Sequence, residues 1–211
     1  MLIIDRWYGR LGNNILQILR AIQFAKINDH SIIKFNNHSY FTNNIINISS
    51  LEDNKTTIRD TFFDLRKFKL EQVKDIVLRE YFQSYIQPIF KIKNNENNEN
   101  NETVYIHIRV GDVFNSNPNK LYVQPPLIFY KNIISNYKYV KLICEDTSNP
   151  CVNELLKMTK VKNVSGTLNN DLELLCNARN IIVGFGSFGL IPYFANNKLE
   201  NIYIPKYAIN S

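Results

Sequence analysis

Apolar and polar positions alternate with two different periods along the chain, and the changes of period mark out its elements. Leu2-Ile3-Ile4 is a short apolar run that predicts a strand. The glycine turn Tyr8–Asn14 follows. Ile15, Ile18, Leu19, Ile22 and Ala25 then recur at helical spacing, predicting an amphipathic helix to about Ile27. Ser31–Phe35 reads as a strand again, which completes a β-α-β unit. Residues 36–60 are polar and irregular, with one further strand suggested at Ile45–Ile48. Leu65–Ile92 has a helical pattern interrupted near Glu80–Pro88, because proline disfavours helix at the residue before it.

Asn94–Glu102, NNENNENNE, has nothing to bury and reads as a linker or an extended surface loop. Beyond it the alternation becomes regular. Thr103–Arg109 is a strand, and a helix opens at Pro125-Pro126 and runs to about Tyr137, proline suiting a first turn. Strand Tyr139–Cys144, a helix from Pro150 to about Thr159 and a weak strand at Val161–Val164 follow. Asn170 or Asp171 is placed to cap the helix carrying Leu172, Leu174, Leu175 and Ala178. Strand Asn180–Val183 leads into GFGSFG, a short helix around Pro192 and a last strand at Ile202–Ile204. Strands alternating with helices predict an α/β fold with parallel sheets. The expected division is a smaller α/β unit at 1–93, the Asn/Glu-rich segment at 94–102 and a Rossmann-like unit at 103–211.

Composition narrows the classes. Hydrophobic content of 45% and charged content of 21% are ordinary for a globular protein. The net charge of +6 is spread along the chain. It suits a phosphate-bearing small molecule or simply a solvated surface. No run of Lys and Arg, no zinc-finger spacing and no aromatic-basic interleaving supports nucleic acid as a partner. Three cysteines, Cys144, Cys151 and Cys176, have no metal-ligand spacing, so the reading is reduced thiols and no metal. No stretch reaches membrane-spanning length and the N-terminus lacks a signal-peptide pattern, so the expectation is a cytoplasmic chain or a soluble piece of a larger protein.

Six of the seven glycines fall in three turns: Gly9 and Gly12, Gly111, and Gly184, Gly186 and Gly189. Each turn follows an apolar strand. Ligands of open α/β sheets bind beyond the carboxyl ends of strands, where helix N-termini present N–H groups. The three turns therefore suggest one phosphate-binding cleft between two lobes, against the plainer reading that glycines go to turns anyway. Gly184–Gly189 also fits G-x-G-x-x-G, but the match to a dinucleotide fingerprint is weak: only 22 residues follow Gly189, and Glu200 comes before the last strand rather than at its end. Arg109, at the end of its strand, is suited to bidentate phosphate binding; its alternative is an ion pair with Asp112. His107 lies on the same strand two residues earlier, where a packed structural histidine is the ordinary outcome. Asn13 is equally an N-cap candidate for the helix after it. Asp5, Asp112 and Asp146 are the carboxylates near strand ends that could act as a general base.

With these turns in hand, the chain resembles the fucosyltransferases that share an HxR-type motif, chiefly the α-1,2-fucosyltransferase family and more distantly the protein O-fucosyltransferases. His107–Asp112, HIRVGD, resembles their HxRRGDY, and Gly9–Asn14, GRLGNN, resembles their G-x-[LF]-G-N-Q. Tyr81–Ser84 matches their YFQS, and Asn180–Phe194 occupies the place of NIIANSSFSWW. Val110 stands where the second arginine would be, Val113 where tyrosine would be, and Leu190 and Ile191 where the tryptophans would be. The resemblance implies a GT-B fold of two Rossmann-like lobes with a reduced N-terminal acceptor lobe. It implies a metal-independent, inverting transfer of fucose from GDP-fucose, or of another sugar from its nucleotide donor, to a glycan hydroxyl. A descendant that binds nucleotide sugar or glycan without turnover is the other expectation. By motif position, Arg109 holds the pyrophosphate and assists its departure, His107 and Gly111 lie beside the nucleotide, and Gly186, Ser187 and Phe188 line the phosphate and base pocket. Asn13 faces the sugar or acceptor.

Overall fold

The computed structural model describes residues 1–50, 56–64, 67–68, 71, 73–92, 100–114 and 123–206. The chain divides into two units, Met1–Lys93 and Asn94–Ser211. Most of the Asn/Glu-rich segment, 94–99, lies outside the described residues.

The first unit is built on β1 (Leu2–Ile4), α1 (Leu11–Ile27), β2 (Ile32–Phe35), β3 (Ile45–Asn47), β4 (Ile58–Asp60) and α2 (Asp75–Tyr81). Its sheet has the order β3-β2-β1-β4. β1 runs parallel to both β2 and β4, with Leu2 opposite Ile33 on one side and Ile58 on the other, whereas β3 is antiparallel to β2. The apolar stripe of α1, including Ile15, Ile18, Leu19 and Ile22, is buried, as are Leu2, Ile4, Ile33 and Phe35 of the strands. The helix starts four residues before the first position of the sequence pattern, because Leu11 is itself buried and serves as its first residue.

Two elements of this unit differ from the sequence pattern. β4 falls in the stretch that reads as irregular, since Ile58-Arg59-Asp60 offers one apolar side chain. Its place comes from main-chain pairing along β1 and from Asp60, whose Oδ1 accepts from the Phe62 and Phe63 amides while Lys67 pairs with Oδ2. The pattern at Leu65–Ile92 yields an α-helix only over Asp75–Tyr81, continued by a π-helical turn, Phe82–Ile86, that ends before Pro88. Residues 65–66, 69–70 and 72 of that stretch lie outside the described ones. The wide turn buries Phe82 and Ile86 on one side, and Phe82 meets Phe90 edge-on at 5.6 Å.

The second unit contains β5 (Thr103–His107), α3 (Leu127–Ile134), β6 (Tyr139–Ile143), α4 (Pro150–Leu156), β7 (Val161–Asn163), α5 (Leu168–Asn177), β8 (Asn180–Val183), α6 (Ile191–Ala195) and β9 (Asn201–Tyr203). All five strands are parallel, in the order β7-β6-β5-β8-β9. The chain moves outward through β6 and β7, then returns past β5 to β8 and β9. The order therefore reverses between β5 and β8, the position at which open α/β sheets form a crevice beyond their strand ends. β5 is buried along its whole length. Val104, Ile106 and Ile108 pack with Tyr130 and Ile134 of α3 and Val152 and Leu155 of α4. Tyr105 packs instead with Ile181, Val183 and Leu175 of α5, so helices cover both faces.

Ends of helices show which polar residues do the capping. α4 is capped by the Asn149 side chain, which accepts from the Cys151 amide, with Pro150 in the first turn. α5 is capped by Thr167 rather than by Asn170 or Asp171: the Thr167 hydroxyl accepts from the Asn170 amide, and Asp171 accepts from Gly166. α3 stops at Ile134, and Lys160 Nζ donates to the carbonyls of Ile134 and Tyr137 at 2.6 and 3.0 Å, satisfying that end. At the amino edge of the sheet, Asn180 is 1% exposed. Its Nδ2 donates to the carbonyls of Asn101 and Thr103, and its Oδ1 accepts from Asn201. Asn180→Ala strands these groups and is expected to lower stability by about 2 kcal/mol. A fall in the urea midpoint at unchanged m checks it.

Candidate functional site

The carboxyl edge of the second unit gathers most of the chemically able residues. His107 is the last residue of β5 and is paired in register with Ile143 of β6 and Val183 of β8. Its ring lies 5.1 Å from that of Phe188, tilted by 45°. Nδ1 is buried and has no hydrogen-bond partner among the described residues. Burial, followed by the charge of Arg109, lowers its pKa to about 4, so the imidazole is neutral at neutral pH. Arg109 lies two residues further on, partly exposed, and its carbonyl accepts from Asn149 Nδ2 at 3.4 Å. The edge thus brings a cation close to a neutral ring.

GFGSFG closes this edge opposite His107. The Gly184 amide donates to the His107 carbonyl at 3.0 Å. A Cβ at Gly184 would sit 3.2 Å from that carbonyl oxygen and 2.9 Å from Tyr130 Oη, so only glycine permits the approach. Gly186 has φ +104° and nothing within 4 Å of its Cβ position, so it turns the chain beside open space. Ser187–Leu190 then forms a 3₁₀ turn that leads directly into α6. Ser187 and Phe188 are both partly exposed on it.

Gly111 has a different setting. It opens the 3₁₀ turn Gly111–Phe114 with φ +67°. Its amide already donates to Ser148 Oγ at 2.9 Å. The position of a Cβ there would be 3.4 Å from Glu145 Oε2 and 3.5 Å from Asp146 Oδ2. Hydrogen bonds from the Ser148 hydroxyl and amide, with the Gly111 amide, keep the Asp146 carboxyl below the usual range. Two carboxylates beside the turn repel phosphate and accept from hydroxyl or N–H donors. Glu145 and Ser148 carry no motif of their own; their position just after β6 is the one signal in the sequence that could have marked them. The side chain of Asp112 lies outside those described.

In the first unit, the GRLGNN turn is organised by an amide network. Gly9 takes φ +71°, and Asn13 lies against it. Asn13 is the third residue of α1, not its N-cap; that place belongs to Arg10, whose side chain makes no capping bond. The buried amides are those of Asn14 and Gln17, each 2% exposed. Gln17 Oε1 accepts from the Tyr8 amide and from Asn14 Nδ2, both at 3.1 Å. Its Nε2 donates to the carbonyls of Arg6 and Thr61 at 3.1 and 2.6 Å. Asn14 also donates to the Tyr8 carbonyl, and its Oδ1 meets His38 Nε2 at 3.2 Å. His38 Nδ1 accepts from the Tyr40 amide, which leaves Nε2 as the protonated nitrogen. Gln17 and His38 went unmarked in the sequence, although Asn14 and Gln17 break the apolar face of α1 at i,i+3 spacing.

Among the described residues, no three His, Cys, Asp or Glu side chains are arranged to hold a metal, and no helix is long and apolar enough to cross a membrane. Comparison with protein-family models, with curated proteins and with solved structures returned no match.

Two expected outcomes follow from these geometries. The unfolded chain protonates His107 near pH 6.5, whereas the folded chain resists until about 4. Stability present above pH 6.5 is therefore lost as pH falls toward 4, by about 3 kcal/mol. Urea melts of wild type and His107→Gln across that window should converge as pH falls; parallel curves would contradict the buried neutral ring. Gln17→Ala removes four hydrogen bonds and is expected to cost about 3 kcal/mol. It should also speed hydrogen exchange at the Tyr8 amide well beyond its effect on the core of β1.

Proposed function

We propose that the protein is an inverting glycosyltransferase of the two-lobed GT-B kind, transferring fucose from GDP-fucose to a glycan hydroxyl without a metal. The observation that carries this reading is the packing of the GFGSFG turn against His107 where the strand order reverses between β5 and β8, with Arg109 two residues further along. These are the positions at which the chain resembles the HxR-type fucosyltransferases. The first unit, through Asn13 and the turn around it, is the acceptor side.

The chemistry asks for one bond to form and one to break. An acceptor hydroxyl oxygen attacks the anomeric carbon, and its proton passes to a carboxylate. The bond from that carbon to the β-phosphate oxygen breaks, and its electron pair leaves with the nucleoside diphosphate. In this reading Arg109, two residues beyond His107, favours that step by offering a guanidinium to the negative charge that grows on the departing phosphate. His107, neutral at working pH, contributes shape and hydrogen bonding rather than charge. Glu145 and Asp146 supply acceptors, which match the N1–H and N2–H₂ donors of guanine or ribose hydroxyls better than a phosphate. Phe188 offers an apolar ring beside His107.

One observation favours the reading in which a donor is bound but not used. Val110, at the place of the second arginine, is 1% exposed and belongs to the apolar core, so this position delivers no charge to a ligand.

A thermal-shift series with GDP-fucose, GDP-mannose and UDP-sugars tests both readings. GDP-fucose is expected to raise Tm, by the equivalent of about 2.7 kcal/mol at one hundred times Kd, with little effect from UDP-sugars. Arg109→Ala should leave the Tm of the ligand-free protein unchanged and lower turnover roughly 100-fold or more. Binding without transfer to any glycan acceptor would support the non-catalytic reading. No shift with any GDP-sugar would remove both.

A further inference from the structure

The side of the His107 ring that carries Nδ1 faces Gly189. A Cβ built at Gly189 would lie 3.1 Å from His107 Nδ1 and 2.5 Å from Val183 Cγ1. The backbone at Gly189 is outside the left-handed region, so the need for glycine here is one of space and not of conformation. Val183 cannot retreat. It is the last residue of β8, 2% exposed, and packs with Tyr105 and Ile181. The His107 ring also meets Phe188, the residue before Gly189 in the same 3₁₀ turn.

We propose that Gly189 is a positioning residue: its missing side chain lets the GFGSFG turn close onto β8 and β5 and fixes the His107 ring at the mouth of the crevice. One turn then sets three groups together. Phe188 packs against the ring, Gly189 bounds it on the Nδ1 side, and Ser187 takes its place from the same turn. A methyl group at 189 has two ways out. Either the turn lifts away from Val183, carrying Ser187 and Phe188 with it, or the imidazole gives way by a few tenths of an ångström. Both uncouple His107 from the turn. The role of the site follows the proposed function, but the positioning itself does not depend on which ligand binds.

The experiment uses Gly189→Ala, Val183→Ala and the double variant in the full chain, with circular dichroism and thermal melts to establish that each is folded. Ring resonances of His107 are followed by NMR against pH. Gly189→Ala should move the His107 midpoint up from about 4 toward the ordinary 6.5, because a displaced ring gains solvent. Val183→Ala alone should leave that midpoint in place. The double variant relieves the 2.5 Å contact and should return the midpoint most of the way. If wild type binds GDP-fucose, Gly189→Ala should raise KM for it about tenfold with kcat changed less than twofold, and the double variant should recover most of that loss. An unmoved His107 midpoint in Gly189→Ala, or a double variant as perturbed as the single, would overturn the positioning role. Absence of any donor binding by wild type bears on the proposed function alone, because the titration needs no ligand.

Discussion

The second unit depends on β5 being hydrogen-bonded along both edges and buried on both faces. A strand held in this way has no freedom of register: Tyr105 must face α5, and Ile106 must face α3 and α4. The sheet therefore sets the direction in which His107 leaves the strand, and the GFGSFG turn packs against its ring. Each group at the carboxyl edge takes its position from that strand end, including the Gly184 amide on the His107 carbonyl and the Phe188 ring beside the imidazole. A burial that would be expensive for a charged imidazole is tolerated because the ring stays neutral.

The first unit solves the same problem by other means. Its strands are three or four residues long, too short to fix a turn by pairing alone. The segment between β1 and α1 is instead tied by the amide of Gln17, which reaches Arg6 and Tyr8 on one side and Thr61, just past β4, on the other. Buried side-chain amides do here what extended ladders do in the larger sheet. Such a network is stiff only while every member is satisfied.

Much of the architecture could be read from the chain because the larger unit is regular. Its two central strands, β5 and β8, are buried and largely apolar runs, its helices carry prolines and polar capping residues at their starts, and the glycines fall where the chain must turn tightly or approach another strand. β4 was not legible, because its pairing is a main-chain matter and its side chains are mostly polar. The capping of α3 was not legible either, because the residue that takes its last carbonyl, Lys160, is 26 positions away. At the candidate site, His107, Arg109 and GFGSFG stood out by residue type and place. The surroundings of Gly111 did not, since the carboxylates beside it come from a different strand end. Sequence pattern speaks for a residue's own element and says little about what another element brings to it.

Val110 limits how the carboxyl edge of the second unit can carry charge. It lies in the same apolar cluster as Ile108, Tyr130 and Leu142. An arginine there would have to bring its guanidinium through aliphatic side chains, at a cost that is large against the stability of a typical fold. A second cation at this edge would therefore have to come from a position outside the core, so that Arg109 and whatever joins it would be set by different elements and not by one strand end.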